Sequence, residues 1–152
     1  VISLAGIYIL WLGLMEIAQR SGLSRIIAKL LSRPLGMIFK GVKRDSDAMA
    51  AISMNVSANL LGMGNAATPF GLKAMEHLQN HNRHKDTASN PMAMLIVLNS
   101  SSVQLIPASI IALRAASGSG NPGDITLPVL IATTATTVIS VMVCKILEKK
   151  NG

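Results

Sequence analysis

Eight polar side chains sit in a chain that is otherwise half hydrophobic: Asn55, Asn59, Asn65, Thr68, Asn99, Ser101, Ser102 and Gln104. Asn55 and Asn59 are four residues apart, so a helix would put them on one face. Asn99 and Ser102 are three apart, as are Ser101 and Gln104. Amides and hydroxyls both donate and accept hydrogen bonds without carrying charge. Gathered around a break in a helix, they suit a polar neutral or anionic small molecule better than a metal cation. The competing role is mechanical. Ser, Thr, Asn and Gln also join helices to one another in an apolar medium. The residues alone leave both roles open.

Other chemistry is thinner. His77, His81 and His84 follow a helical spacing beside Glu76 and Asp86, which can approximate a metal-binding face. Asn80, Asn82 and Arg83 interrupt it, and a solvated loop is the better reading. No nucleophile–base set, phosphate-binding glycine loop or CxxC pair occurs, and Cys144 is the single cysteine. The reading is therefore of a protein that is not an enzyme, with no cofactor and no metal site. The row Thr133, Thr134, Thr136, Thr137, Ser140 reads as helix packing.

The elements that must hold these residues are apolar runs. The mean hydropathy is +0.47, charged residues are 14% and aromatics only 3% of 152 residues. Ile125 to Cys144 carries no charge, and uncharged runs of about 20 residues are candidates for crossing a bilayer. The expected fold is all-α: an integral membrane protein with about three transmembrane helices, an interfacial amphipathic helix and a re-entrant broken-helix hairpin. Read as one domain over 1–152, it has a membrane helix at 1–19, expected to lack part of its start. An interfacial helix at 21–40, the hairpin at 46–79, a broken membrane helix at 91–116 and a last membrane helix at 125–147 complete it.

Local signals set these bounds. Leu23, Ile26, Ile27, Leu30 and Leu31 share a helical face opposite Arg25, Lys29 and Arg33, with Pro34 and Gly36 expected to close that helix. Ser46 or Asp47 can cap the next helix, and Gly62 and Gly64 stop it. Thr68-Pro69 is expected to restart it as cap and first residue, which places Asn65 in the tip. Asn90-Pro91 repeats that start, and Pro107 interrupts the helix that begins there. Asn59 to Pro69 and Asn99 to Pro107 thus echo each other, and paired interrupted segments point to a binding site in transporter-like folds. Glu16 can pair with Arg20, four residues on.

Charge sets the topology. Lysine and arginine total 14 against 7 acids, and seven of those bases fall in 20–44 with no acid among them. That window, 83–85 and 145–150 should share the cytoplasmic side, where anionic lipid lies. The hairpin then enters and leaves from that side. Nucleic acid is not expected as a partner, because membrane spans flank the basic block and Phe39 is its one aromatic residue.

"NVSANLLGMGNAATPFGLKAMEHL" carries a specific likeness. With Asn55, Asn59, Gly62, Gly64, Asn65, Ala66, Ala67, Thr68, Pro69, Gly71, Lys73, Ala74, Met75 and Glu76 in register, the chain resembles the spore maturation protein A family. "LWLGLMEIAQRSGL", "LNSSSVQLIP" and "IIALRAA" also fit. Members of that family have further N-terminal residues, including an earlier membrane segment. The resemblance implies a Gate, or nucleoside-recognition, domain related in architecture to concentrative nucleoside transporters. It also implies a role in spore core dehydration beside a spore maturation protein B-like partner in the bacterial cytoplasmic membrane.

Two functions emerge as expectations. One is a transport or permeation subunit with a small polar solute held at the two broken helices. The other is a non-transporting scaffold for envelope or spore maturation. Either needs a membrane partner or a homo-oligomer, since so few spans cannot enclose a polar cavity alone.

Overall fold

The computed structural model describes residues 20–101 and 103–151, together with Gly6, Ile9, Gly13 and Ile17. Most of the expected membrane helix at 1–19, including Glu16, lies outside the described residues, as does Ser102. Among the described residues every regular element is helical: α1 (Leu23–Ile38), α2 (Asp47–Leu60), α3 (Gly64–Asn80), α4 (Asn90–Ser100), α5 (Ala108–Ala116), a 3-10 turn (Pro122–Ile125) and α6 (Thr126–Asn151).

α2 is the centre. Its Ser46 cap accepts a hydrogen bond at Oγ from the Met49 N–H at 3.2 Å, which satisfies one of the donors a helix start leaves bare. Ala48, Met49, Ala51, Ile52, Ser53, Asn55, Ser57 and Ala58 are all buried. A helix built of small and apolar residues on every side can be surrounded, and α1, α3 and α4 pack on it. Phe39, Met49, Ile52, Met94 and Leu95 are the largest side chains of that core.

α1 shows why one apolar stripe is not one face. Ala28 and Leu35, with Ile27, Leu31 and Ile38 partly buried, turn towards the core. Leu23, Ile26, Leu30 and Met37 face outwards, beside exposed Arg25, Lys29 and Arg33. Pro34 does not close the helix as expected but lies inside it, and α1 runs on to Ile38. A proline there forfeits its own bond back to the Leu30 carbonyl and crowds that carbonyl. The packing of Leu35 and Phe39 carries the helix past it.

α2 ends in a Schellman motif. Gly62 takes a φ of 74°, its N–H reaches the Asn59 carbonyl at 2.9 Å, and the Met63 N–H reaches the Ala58 carbonyl at 2.8 Å. Met63 and Ala58 then pack together in a small cluster with Leu61 and Ala67. The expected restart at Thr68-Pro69 is corrected here: α3 begins at Gly64, and Pro69 is interior to it. Pro69 is the sixth residue of α3, past the four N–H groups that lack an intrahelical partner. It therefore gives up a bond to the Asn65 carbonyl and crowds that carbonyl, a cost that the packing of α3 on α2 offsets. Asn65 is therefore in the first turn of α3 rather than in the tip, which shrinks to Leu61, Gly62 and Met63.

The second interruption falls between Ser100 and Ala108, with Pro107 at the N-cap of α5. It meets the first. The Leu105 N–H donates to the Leu60 carbonyl at 2.9 Å. Gly62 lies so close to the Ile106 carbonyl that a Cβ there would overlap it. α6 packs on α4 and leaves Leu127, Ile131, Ile139, Met142 and Ile146 exposed.

Candidate functional site

Where α2, α3 and α4 converge near the two interruptions, a cavity of about 390 Å³ opens. Asn55, Asn59, Thr68 and Asn99 line it, together with Ala67, Gly71, Leu72, Met75 and Leu95. Helical spacing explains each contribution. Asn55 and Asn59 are one turn apart on α2. Thr68, Gly71, Leu72 and Met75 fall at i, i+3, i+4 and i+7 on α3. Leu95 and Asn99 are one turn apart on α4.

The amides are held in different ways. Asn59 donates from Nδ2 to Oδ1 of Asn99 at 2.7 Å, and Asn99 donates from its own Nδ2 to the Leu95 carbonyl at 3.1 Å. Asn55, only 2% exposed, donates from Nδ2 to the Ala67 carbonyl at 2.8 Å. Its Oδ1 is buried and has no partner. An unmet buried acceptor is costly, by about 1–3 kcal/mol. Gly71 permits this approach: a Cβ on it would stand 2.9 Å from Nδ2 of Asn55. No side chain lining the cavity is ionisable, so the site offers hydrogen bonds and apolar contact without fixed charge.

The remaining expected residues part from this group. Ser101 is buried, donates from Oγ to the Val97 carbonyl at 2.7 Å, and its own carbonyl accepts from Oγ1 of Thr137. Gln104 donates its backbone N–H to Oγ1 of Thr133 at 3.4 Å. These bonds tie the second interruption to α6, so Ser101 and Gln104 stand at a helix seam and are not among the residues lining the cavity. Asn65 is placed in α3 by its backbone, its side chain lying outside the described residues along with Ser102. Gly71, Leu72, Met75 and Leu95 join the site without being expected there; their spacing from Thr68 and Asn99 is the signal that would find them. Of the histidines, His77 lies on α3, His81 at its C-cap and His84 in the loop beyond. Nδ1 of His81 bonds the His77 carbonyl at 2.9 Å.

Fold and site together define an α-helical protein with a neutral, amide-lined cavity where a helical hairpin meets an interrupted helix. The family model described as Gate, nucleoside recognition, matches residues 1–117. The chain is 40% identical over 131 residues to Spore maturation protein A of Bacillus subtilis (strain 168), a match spanning 86% of this chain and 67% of that protein. The chain belongs to the spore maturation protein A family of Gate, nucleoside-recognition, proteins. No solved structure matches it. The family match covers α1 to α5 and stops before α6.

Proposed function

We propose that this protein is a multi-pass component of the bacterial cytoplasmic membrane that binds a small, uncharged polar solute at the asparagine-lined cavity, as part of a transport or permeation complex serving spore maturation. The observation that carries the reading is Asn55. It is buried on the cavity wall, and its amide oxygen has no partner. A solute N–H or O–H supplies the missing donor. A volume of about 390 Å³ suits a molecule of nucleoside size, and an asparagine amide matches the paired donor and acceptor of a base edge.

Element lengths support the membrane part. α6 has 26 residues, roughly 39 Å at 1.5 Å each, enough for a hydrocarbon core of about 30 Å. Within Pro122–Lys149 an 18-residue window has a mean hydropathy of 2.0 and no fully buried residue, so its outer face needs an apolar surrounding. α2 and α3 have 14 and 17 residues, about 21 and 26 Å, short for a span and suited to a hairpin that turns back at membrane depth. Backbone interrupted at that depth must face protein or a water-lined cavity. The partner that closes the cavity is a B-type membrane protein or a second copy of this chain.

The scaffold reading has its own support. The Asn59–Asn99 bond and the Leu105–Leu60 bond both join the two interruptions, as glue would. Asn55→Ala separates the two. Under the solute reading it abolishes complementation in a strain lacking its own copy even where the inserted protein and its complex survive the loss of the Ala67 bond. It also removes any thermal shift given by adenosine or uridine. Full complementation by Asn55→Ala with intact assembly would sink the solute site and leave the scaffold.

A further inference from the structure

On the other side of α2, away from the asparagines, lies a second recess of about 310 Å³ between α1, α2 and the turn that joins them. Arg25 and Lys29 of α1 and Arg44 of the turn line it, with the hydroxyl residues Ser32 and Ser53. Ala28, Met49, Ala50 and Met54 make up the rest of the lining, and none of the lining residues is acidic. Ser53 is 3% exposed, and its Oγ has no hydrogen-bond partner. Three basic residues line a pocket that supplies them no acidic partner, and a buried hydroxyl without a hydrogen-bond partner shares that lining.

We infer that this recess binds a phosphoryl oxyanion, and specifically the headgroup of an anionic phospholipid. Guanidinium groups pair with phosphate oxygens bidentately, and lysine adds a point charge. The Ser53 hydroxyl adds a neutral, unpartnered donor to the lining, which a cluster of exposed cations alone would not have. The apolar half of the lining favours an amphiphile over bare phosphate. α1 agrees: Leu23, Ile26, Leu30 and Met37 are exposed along it, flanking the basic row. That arrangement of an outward apolar row beside snorkelling cations belongs to a helix at a bilayer interface. Gly36 completes the geometry. A Cβ on it would come within 2.7 Å of Nε of Arg44, so the bare glycine lets Arg44 lie across α1. The inference relies on membrane residence and is independent of the asparagine cavity.

The test uses the full chain in neutral detergent, with thermal melting read against added phosphatidylglycerol, phosphatidylcholine or inorganic phosphate. Phosphatidylglycerol should raise Tm saturably and phosphatidylcholine should not. The triple variant Arg25→Gln, Lys29→Gln, Arg44→Gln should lose that shift. Ser53→Ala, with all charges kept, should weaken the apparent affinity by about tenfold or more, the worth of one hydrogen bond to a charged group. A charge-matched control, Arg83→Gln, Lys149→Gln, Lys150→Gln, should keep the shift, as should Asn55→Ala. Should the triple variant fail to fold, each single substitution must lower affinity more than any single control does. Equal loss in the control set would overturn the site in favour of diffuse attraction. Full reproduction of the shift by inorganic phosphate would overturn the lipid assignment, and no shift with phosphatidylglycerol would overturn both.

Discussion

Gly71 on α3 lies directly against the side chain of Asn55 on α2, near enough that a Cβ would stand 2.9 Å from Nδ2. That amide is already engaged at 2.8 Å with the Ala67 carbonyl, so it cannot step aside without giving up its bond. Gly71→Ala should destabilise the protein by about 1–3 kcal/mol, the usual result of overpacking. It should also narrow the cavity and cost function. Gly120 has no positive φ, and a Cβ on it would meet no atom within 4 Å, so Gly120→Ala should stay within about 0.5 kcal/mol. Thermal melting of the two variants side by side decides it, and equal stability would contradict the close approach.

Asn59 and Asn99 should be coupled. Their side-chain bond at 2.7 Å is a direct polar link between α2 and α4. A double-mutant cycle with Asn59→Ala and Asn99→Ala should give an interaction of about 0.6–1.7 kcal/mol, the range for side-chain bonds between membrane helices. Additive effects would mean that each amide serves a different partner.

α2 is readable in the sequence because its two ends carry strong local chemistry. Ser46 is a side-chain cap, and Gly62 supplies the positive φ of the Schellman turn. The prolines mislead. Pro34 and Pro69 read as boundaries, yet both lie inside helices, since one lost backbone bond is outweighed by tertiary packing that a local signal does not contain. Asn55, Asn59 and Asn99 are legible as a polar set, and their meeting depends only on α2 and α4 being neighbours. Ser101 groups with Asn99 by proximity in the chain, but two residues on a helix are about 200° apart. One therefore faces α2 and the other α6. Which neighbour each faces is set by topology, which spacing alone does not carry.

The topology of the hairpin is open to direct labelling. Lys43 precedes α2 and Lys85 lies after α3, so an antiparallel pair brings both to one end. In a Cys144→Ser background, Lys43→Cys and Lys85→Cys should both be blocked by a permeant reagent and spared by an impermeant one added outside. Ser119→Cys, in the loop between α5 and the 3-10 turn, should label from outside. Labelling of Lys43→Cys and Lys85→Cys from opposite sides would turn the hairpin into a span.

Gly62 is the residue on which the two interruptions depend together. Its φ of 74° is a conformation that side chains resist, and its Cα faces the Ile106 carbonyl with no room for a Cβ. Gly62→Ala therefore meets two separate obstacles. The backbone strain costs on the order of 1 kcal/mol or more. The overlap with Ile106 adds to it, because backbone cannot rotate away as a side chain can. The Leu105 N–H to Leu60 carbonyl bond, at 2.9 Å, is the contact that must lengthen to relieve the clash. Gly118 is the matched control, with a φ of 80° and open space where a Cβ would stand. Gly118→Ala should show the strain alone. Gly62→Ala should lose more stability than Gly118→Ala, and hydrogen exchange at Leu105 should rise in the first variant only. If the two variants melt together and Leu105 stays protected in both, the junction of the two interruptions is not built on Gly62.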